Sequence, residues 1–494
     1  MRQGAYVIIG RKLGGPVSRG GKYLGVGALA LICIAATSSL RNLPTMAVYG
    51  WESIFWYVAG TLLFLLPISF VAAELATSMP VAGGVFTWIR RAFGERTGSL
   101  GIWCEWAENI VWFPTILSFV AGTLAYAIDP DLSNNNVYMV VVMLTVLWVL
   151  TLLNFLGTKF SAQISSFGSM IGTIIPQILL LVLAAVFVLR GSSIAIPFSR
   201  EALSPTFDLT SLPLLATMIT MFAGMEMAGY HAARVRHPER EYPRAMIIAC
   251  SVIFALSVIG TLAIAIVVPV DSINLAAGLM QAFSAFLAEF DLGSLVPIIA
   301  VMASIGAIAT ISTWMYGPAK GVRTAAERGN YPPVFQGSNK RGAPTHVLLI
   351  SAIGGSVFIL MFLFIPSINT SYWILSALTT QILTIMYFLI FASALKLRHS
   401  EPGLKRPYKV PGGKVGLWLA CGAGLFACLF ALFIGFVPPA NVAADSRLSY
   451  VLFMIAGFVL LASPPFLFMA LKKKSWIAKE RHHGSEQSDS VAVD

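Results

Sequence analysis

"TSSLRNLP", residues 37–44, interrupts an apolar stretch that runs from Leu24 to Tyr49. It puts a guanidinium, a carboxamide, three hydroxyls and a proline where a bilayer-crossing helix carries leucines. Proline lacks a backbone N–H and clashes with the turn before it, so a helix breaks or kinks there. At membrane depth the freed backbone groups have no water to bond. Such a break persists only where it is buried in protein or lines a cavity, and broken spans of this kind surround the ligand sites of membrane carriers.

Composition supports reading that stretch as a membrane span. The chain has 494 residues, 57% hydrophobic and 11% charged, with a mean hydropathy of +0.80. So few charged groups cannot cover the surface of a soluble protein of this size. Apolar runs near the length that spans a bilayer as a helix recur at 24–48, 53–76, 99–127, 136–156, 167–190, 210–231, 244–268, 292–316, 346–365, 371–395, 414–437 and 449–470. The short alternating segments of a β-barrel do not appear. An all-α, multi-pass integral membrane protein is expected.

The formal net charge of +11 is a matter of topology, not of nucleic acid. With a cytoplasmic N-terminus, the inner loops and tails hold 29 of the 33 Lys and Arg; the outer loops hold Arg190, Arg200 and Arg447. This positive-inside pattern predicts both termini in the cytoplasm and the cell (inner) membrane as the location. The lipid bilayer is then the partner, and nucleic acid is not. Residues 1–22 are basic without an apolar core or cleavage site, so the first span is expected to direct insertion itself. Cys33, Cys104, Cys250, Cys421 and Cys428 lie in apolar runs without CxxC spacing and read as small core residues. No nucleotide loop or HExxH metal motif occurs, so neither cofactor nor metal is expected, and no enzyme. Any transport is driven by gradients.

The remaining cation, Arg41, stands alone at membrane depth. A second break matches the first: "FAGMEMAGY", residues 222–230, encloses Glu226 between Gly224 and Gly229. Spans one and six each open a five-helix unit, and an odd number of helices turns the second unit upside down in the bilayer. The expected organisation is a cytoplasmic segment 1–22, a first repeat over 23–190, an inverted repeat over 209–395, helices 11 and 12 over 413–470, and a short cytoplasmic tail 471–494. A buried arginine is expensive unless it meets an anion or water. Glu226 is the obvious anion, so Arg41 and Glu226 are expected to face one cavity. There they either lock together as an ion pair or each take one charge of a zwitterionic amino-acid or amine substrate. Half-helix ends add free N–H groups for a carboxylate and carbonyls for an ammonium. Ser38, Ser39, Asn42, Ala223, Gly224 and Met225 are placed to touch that substrate.

Other polar residues have gating readings. Glu74 closes span two before Pro80 and Gly83–Gly84, as part of a cytoplasmic gate. Glu105 and Glu108 in "WCEWAENIVWFP" (103–114) share a helix face; they line an inner vestibule, titrate, or pair with a loop arginine. Trp103, Trp106 and Trp112 read as packing or interface aromatics. Trp314, one turn before Gly317–Pro318, is a site or gate residue, and His231 and His237 are loop histidines.

"ELATSMPVAGGVFTWIRRAFGERTG" (74–98), "FAGMEMAGYHAARVRHPEREYPRA" (222–245), "SINLAAGLMQAF" (272–283), "GPAKGVRTAAERGNYPPVFQGSNKRGAPTHV" (317–347) and "RPYKVPGGK" (406–414) occur in order. Together they resemble the amino acid–polyamine–organocation transporters, and within them the glutamate/γ-aminobutyrate antiporter family. The resemblance implies twelve transmembrane helices: an inverted five-helix repeat of the LeuT type plus two appended helices, with helices 1 and 6 discontinuous. It implies secondary active exchange of a glutamate-like amino acid for a related amino acid or amine, without sodium. Other readings are a proton-coupled carrier of cationic amino acids or polyamines, and a non-transporting sensor. It carries site roles onto Glu226, Trp314 and Tyr387. Where the family's acid-resistance antiporters have a helix 1 tyrosine, a helix 8 acid and a second helix 10 tyrosine, this chain has Arg41, Thr310 and Leu383. Thr310 thus joins the site as a hydroxyl, and the substrate pair does not follow from the resemblance. Nor does the tail correspond to the segment that plugs those antiporters.

Overall fold

The computed structural model describes residues 24–80, 84–157, 167–168, 170–205, 212, 216, 218–227, 229, 235, 237–365, 367–438 and 447–478. The expected N-terminal segment 1–22, most of the tail, Lys159, His231 and parts of the sixth span lie outside the described residues. Among the described residues, ten helices are long and apolar enough to cross a bilayer, and a bent pair makes an eleventh crossing. The expected span 210–231 is represented by the short apolar stretch Met218–Met227.

In chain order, α1 (Val26–Thr37) and α2 (Leu43–Ala47) are the bent pair, followed by α3 (Gly50–Ser78), α4 (Gly84–Phe93), α5 (Glu95–Ala125), α6 (Asn136–Asn154) and α7 (Met170–Leu189). The one-turn α8 (Met218–Met221) precedes α9 (Pro238–Ala265), α10 (Gly278–Glu289), α11 (Val296–Glu327), α12 (Thr345–Phe364), α13 (Ile368–Ser400), α14 (Gly413–Ile434) and α15 (Arg447–Ala470). Only two isolated β-bridges occur among the described residues.

Polarity decides which helices stand inside. α5 is the least apolar crossing helix and the most enclosed, with 94% of its central window buried; α13 follows with 78%. The other crossings have less than half of their most apolar stretch buried in protein. α5 packs along both α11 and α13, so its polar side chains are turned toward protein.

The two breaks meet near this centre. α1 stops at Thr37; Ser38 and Ser39 are extended, and the chain restarts as a turn at Leu40–Asn42 before α2, with Pro44 in its first turn. The halves bend by 43°. α8 stops at Met221, and Gly224 takes a φ of +122°, open to glycine and unfavourable for any residue with a Cβ. A Cβ on Gly224 would lie 2.9 Å from both the Ala36 carbonyl oxygen and Thr37 Oγ1. The glycine lets the sixth span seat directly on the frayed end of α1. Gly224→Ala is therefore expected to destabilise the protein by about 1–3 kcal/mol, from backbone strain plus overpacking. Gly317→Ala, with nothing within 4 Å of its added methyl, serves as the control. Thermal unfolding of the purified proteins in detergent measures the difference; equal melting temperatures would refute the contact.

Candidate functional site

Arg41 is 5% exposed and carries its charge among hydroxyls and rings. Nη1 donates to Thr115 Oγ1 at 2.8 Å and to the Tyr372 hydroxyl at 3.1 Å. The guanidinium carbon sits 5.7 Å from the Trp112 ring centre and 5.6 Å from that of Tyr372, within reach of cation–π attraction from both. These partners use both hydrogens of one terminal nitrogen. Neither Nε nor Nη2 makes a hydrogen bond with any described residue. The Nε–Nη2 edge has the geometry that fits a carboxylate bidentately.

Two clefts adjoin it, with empty volumes of about 260 and 410 Å³; both are lined by Arg41, Asn42, Trp112 and Thr220. The smaller adds Thr45, Thr115, Tyr372, Ser376 and Thr379. The larger adds Ser39, Glu108, Ala223, Thr310, Trp314 and Leu383, with Ala36 and Thr37 from the end of α1. Of the sequence candidates, the structure thus brings Ser39, Arg41, Asn42, Glu108, Ala223, Thr310 and Trp314 around one space. The Trp314 and Trp112 ring centres lie 6.2 Å apart, tilted by 53° to each other.

Ser38, Gly224, Met225, Glu226 and Tyr387 line neither cleft. Arg41 and Glu226 form no ion pair. Glu226 is fully buried inside the break of the sixth span, where its Oε2 accepts from the Tyr387 hydroxyl at 2.9 Å and the Gly224 N–H at 3.2 Å. Its Oε1 has no hydrogen-bond partner among the described residues. Glu226 and Tyr387 here satisfy a backbone donor that the break set free, which is a structural office.

The gate candidates separate in the same way. Glu74, 2% exposed, accepts from Arg398 through both carboxylate oxygens, pairs with Arg406 Nε at 3.4 Å, and accepts from the Val410 N–H at 2.8 Å. Arg406 in turn caps the carbonyls of Leu397, Glu401 and Leu404. One buried acid thus fastens the 401–410 loop to the end of α3. Glu105 is buried on α5, and its carbonyl accepts from the Asn109 side chain.

Reading the sequence missed Trp112 as a site residue, and missed Thr115, Thr220, Tyr372, Ser376 and Thr379 altogether. A signal was present: Glu108, Trp112 and Thr115 recur at helical spacing, as do Tyr372, Ser376 and Thr379, so each set forms one polar stripe.

A model of the family described as amino acid permease matches residues 24–460. An uncharacterized transporter of Legionella pneumophila is 38% identical over 447 residues, covering 90% of this chain and 96% of that protein. A glutamate/gamma-aminobutyrate antiporter of Lactococcus lactis is 32% identical, covering 87% of each. A probable agmatine/putrescine antiporter of the same species is 24% identical over 78% of this chain and 81% of its own.

Removing one member of a buried ion pair leaves the other charge uncompensated, which costs on the order of 3 kcal/mol. Glu74→Ala is expected to lose about that much stability and to free the strapped loop. Trypsin should then cut after Lys405 or Lys409 much faster than in the unaltered protein, as read by mass spectrometry of timed digests. Unchanged cleavage would show that the loop is held by other contacts.

Proposed function

The chain belongs to the amino acid permease family, and from that premise we propose that it is an antiporter. It exchanges a glutamate-like amino acid for a related amino acid or amine by alternating access, and it is not an enzyme. The observation that carries this reading is the Nε–Nη2 edge of Arg41, which makes no hydrogen bond with a described residue, on a side chain that lines a cleft between two broken helices. A carboxylate of the substrate completes the guanidinium's bonding and relieves the cost of burying it. The glutamate/gamma-aminobutyrate antiporter of L. lactis supports the substrate class. The agmatine/putrescine relative is more distant, and a guanidinium without a carboxylate partner repels the second cationic head of such a diamine.

Asn42, Thr220 and Thr310 supply neutral polar contacts around the substrate, and Trp112 and Trp314 close the walls. Glu226 and Tyr387 hold the sixth span open at Gly224. The strap fastened by Glu74 belongs to the cytoplasmic side of an inner-membrane topology with both termini inside, a reading supported by the Lys- and Arg-rich loops.

Counterflow in proteoliposomes tests the exchange. Labelled L-glutamate should accumulate when unlabelled amino acid is loaded inside, whereas a non-transporting sensor binds without counterflow. Arg41→Ala is expected to lower exchange about 10–100-fold, the value of a charge-assisted bond. Arg41→Lys keeps the charge without the fork and should recover only a small part of it. Wild-type exchange by Arg41→Ala would refute this placement. Topology is tested separately with Lys340→Cys, which should resist an impermeant maleimide in intact cells and react in inside-out vesicles. Labelling in intact cells would reverse the orientation.

A further inference from the structure

We propose that Glu108 is the ligand for the substrate's ammonium group, and so sets the requirement for an amino group; this rests on the antiport reading above. Glu108, Trp112 and Thr115 fall on one face of α5. At about 1.5 Å rise per residue, Glu108 stands about 6 Å along the axis from Trp112 and about 10 Å from Thr115. Trp112 and Thr115 are the residues that hold Arg41. The acid therefore stands on the wall of the cleft that the guanidinium enters, one to two turns away, and both line the 410 Å³ space.

Glu108 is 3% exposed, and its carboxylate makes no hydrogen bond or ion pair with any described residue. Two of the other buried acids show the contrast: Glu74 is answered by two arginines and an N–H, Glu226 by a tyrosine and an N–H. Glu108 and the Nε–Nη2 edge of Arg41 thus belong to one cleft, with no hydrogen bond or ion pair between them. Each is costly while unpartnered. A ligand with an ammonium and a carboxylate separated by one to three carbon atoms answers both at once. The end of α1 strengthens the negative pole, because Ala36 and Thr37 bring its frayed C-terminus to the same cleft.

Two readouts on the full-length protein test the proposal. Competition against labelled L-glutamate counterflow compares unlabelled L-glutamate with glutarate, the same diacid without its amino group. Ligand-induced thermal stabilisation of the purified protein compares the same two compounds without requiring transport. The unaltered protein should prefer L-glutamate by more than tenfold. Glu108→Gln should cut that preference at least tenfold by weakening L-glutamate while leaving glutarate as strong or stronger. If Glu108→Gln is not monodisperse, Glu108→Asp, which keeps the charge but withdraws it, should cut the preference three- to tenfold. Unchanged preference in the variant that folds overturns the proposal. Stabilisation that follows the expected pattern without any counterflow overturns the antiport reading and leaves Glu108 assigned. Neither counterflow nor amino-acid preference in the unaltered protein overturns both.

Discussion

A guanidinium buried at membrane depth without a carboxylate beside it is the constraint around which the centre of this protein is built. Arg41 lies in the turn Leu40–Asn42 that leads from the break after α1 into α2. Its charge is held by two hydroxyls and two aromatic faces, contributed by α5 and α13 from positions 71 to 331 residues away in sequence. Those partners orient the group without neutralising it, and one edge stays free for something that arrives. The enclosed position of α5 and α13 follows from the same demand, because helices that carry threonine, glutamate and tyrosine in their middles cannot face lipid.

Three buried glutamates show how neighbours assign different work to one side chain. Glu74 has two arginines and a backbone N–H, so it acts as a rivet between α3 and the 401–410 loop. Glu226 has a tyrosine and the N–H of Gly224, so it mends a broken helix from within. Glu108 lines a cleft and has no hydrogen-bond or ion-pair partner among the described residues. Conformational change in such a carrier requires that ligands bind the alternate states with different strengths. A cleft whose opposite charges are both unanswered when empty supplies that difference.

Much of this was legible in the sequence, and the part that was not has a physical reason. Span lengths, the two breaks and the charge asymmetry are local properties, and local patterns report them. The prominence of Arg41 could be read because a lone cation in an apolar run has no bland interpretation. Its partner could not. Glu226 seemed the counter-ion because it occupies the matching break, yet a break points its side chains in directions that helical periodicity does not describe, and Glu226 turns to its own backbone. Tyr372 stands 331 residues from Arg41, and nothing along the chain marks that contact. Trp112 read as packing because a tryptophan in an apolar helix usually is. Only the recurrence of Glu108, Trp112 and Thr115 on one face hinted at a shared wall.

The most direct test of this account is an experimental structure of the protein in lipid with L-glutamate bound, at a resolution that shows side chains. The account predicts a carboxylate of the ligand across Arg41 Nε and Nη2, with its ammonium toward Glu108 and the frayed end of α1. An Arg41–Glu226 ion pair, with the amino acid bound outside the cleft shared by Arg41 and Glu108, would contradict it.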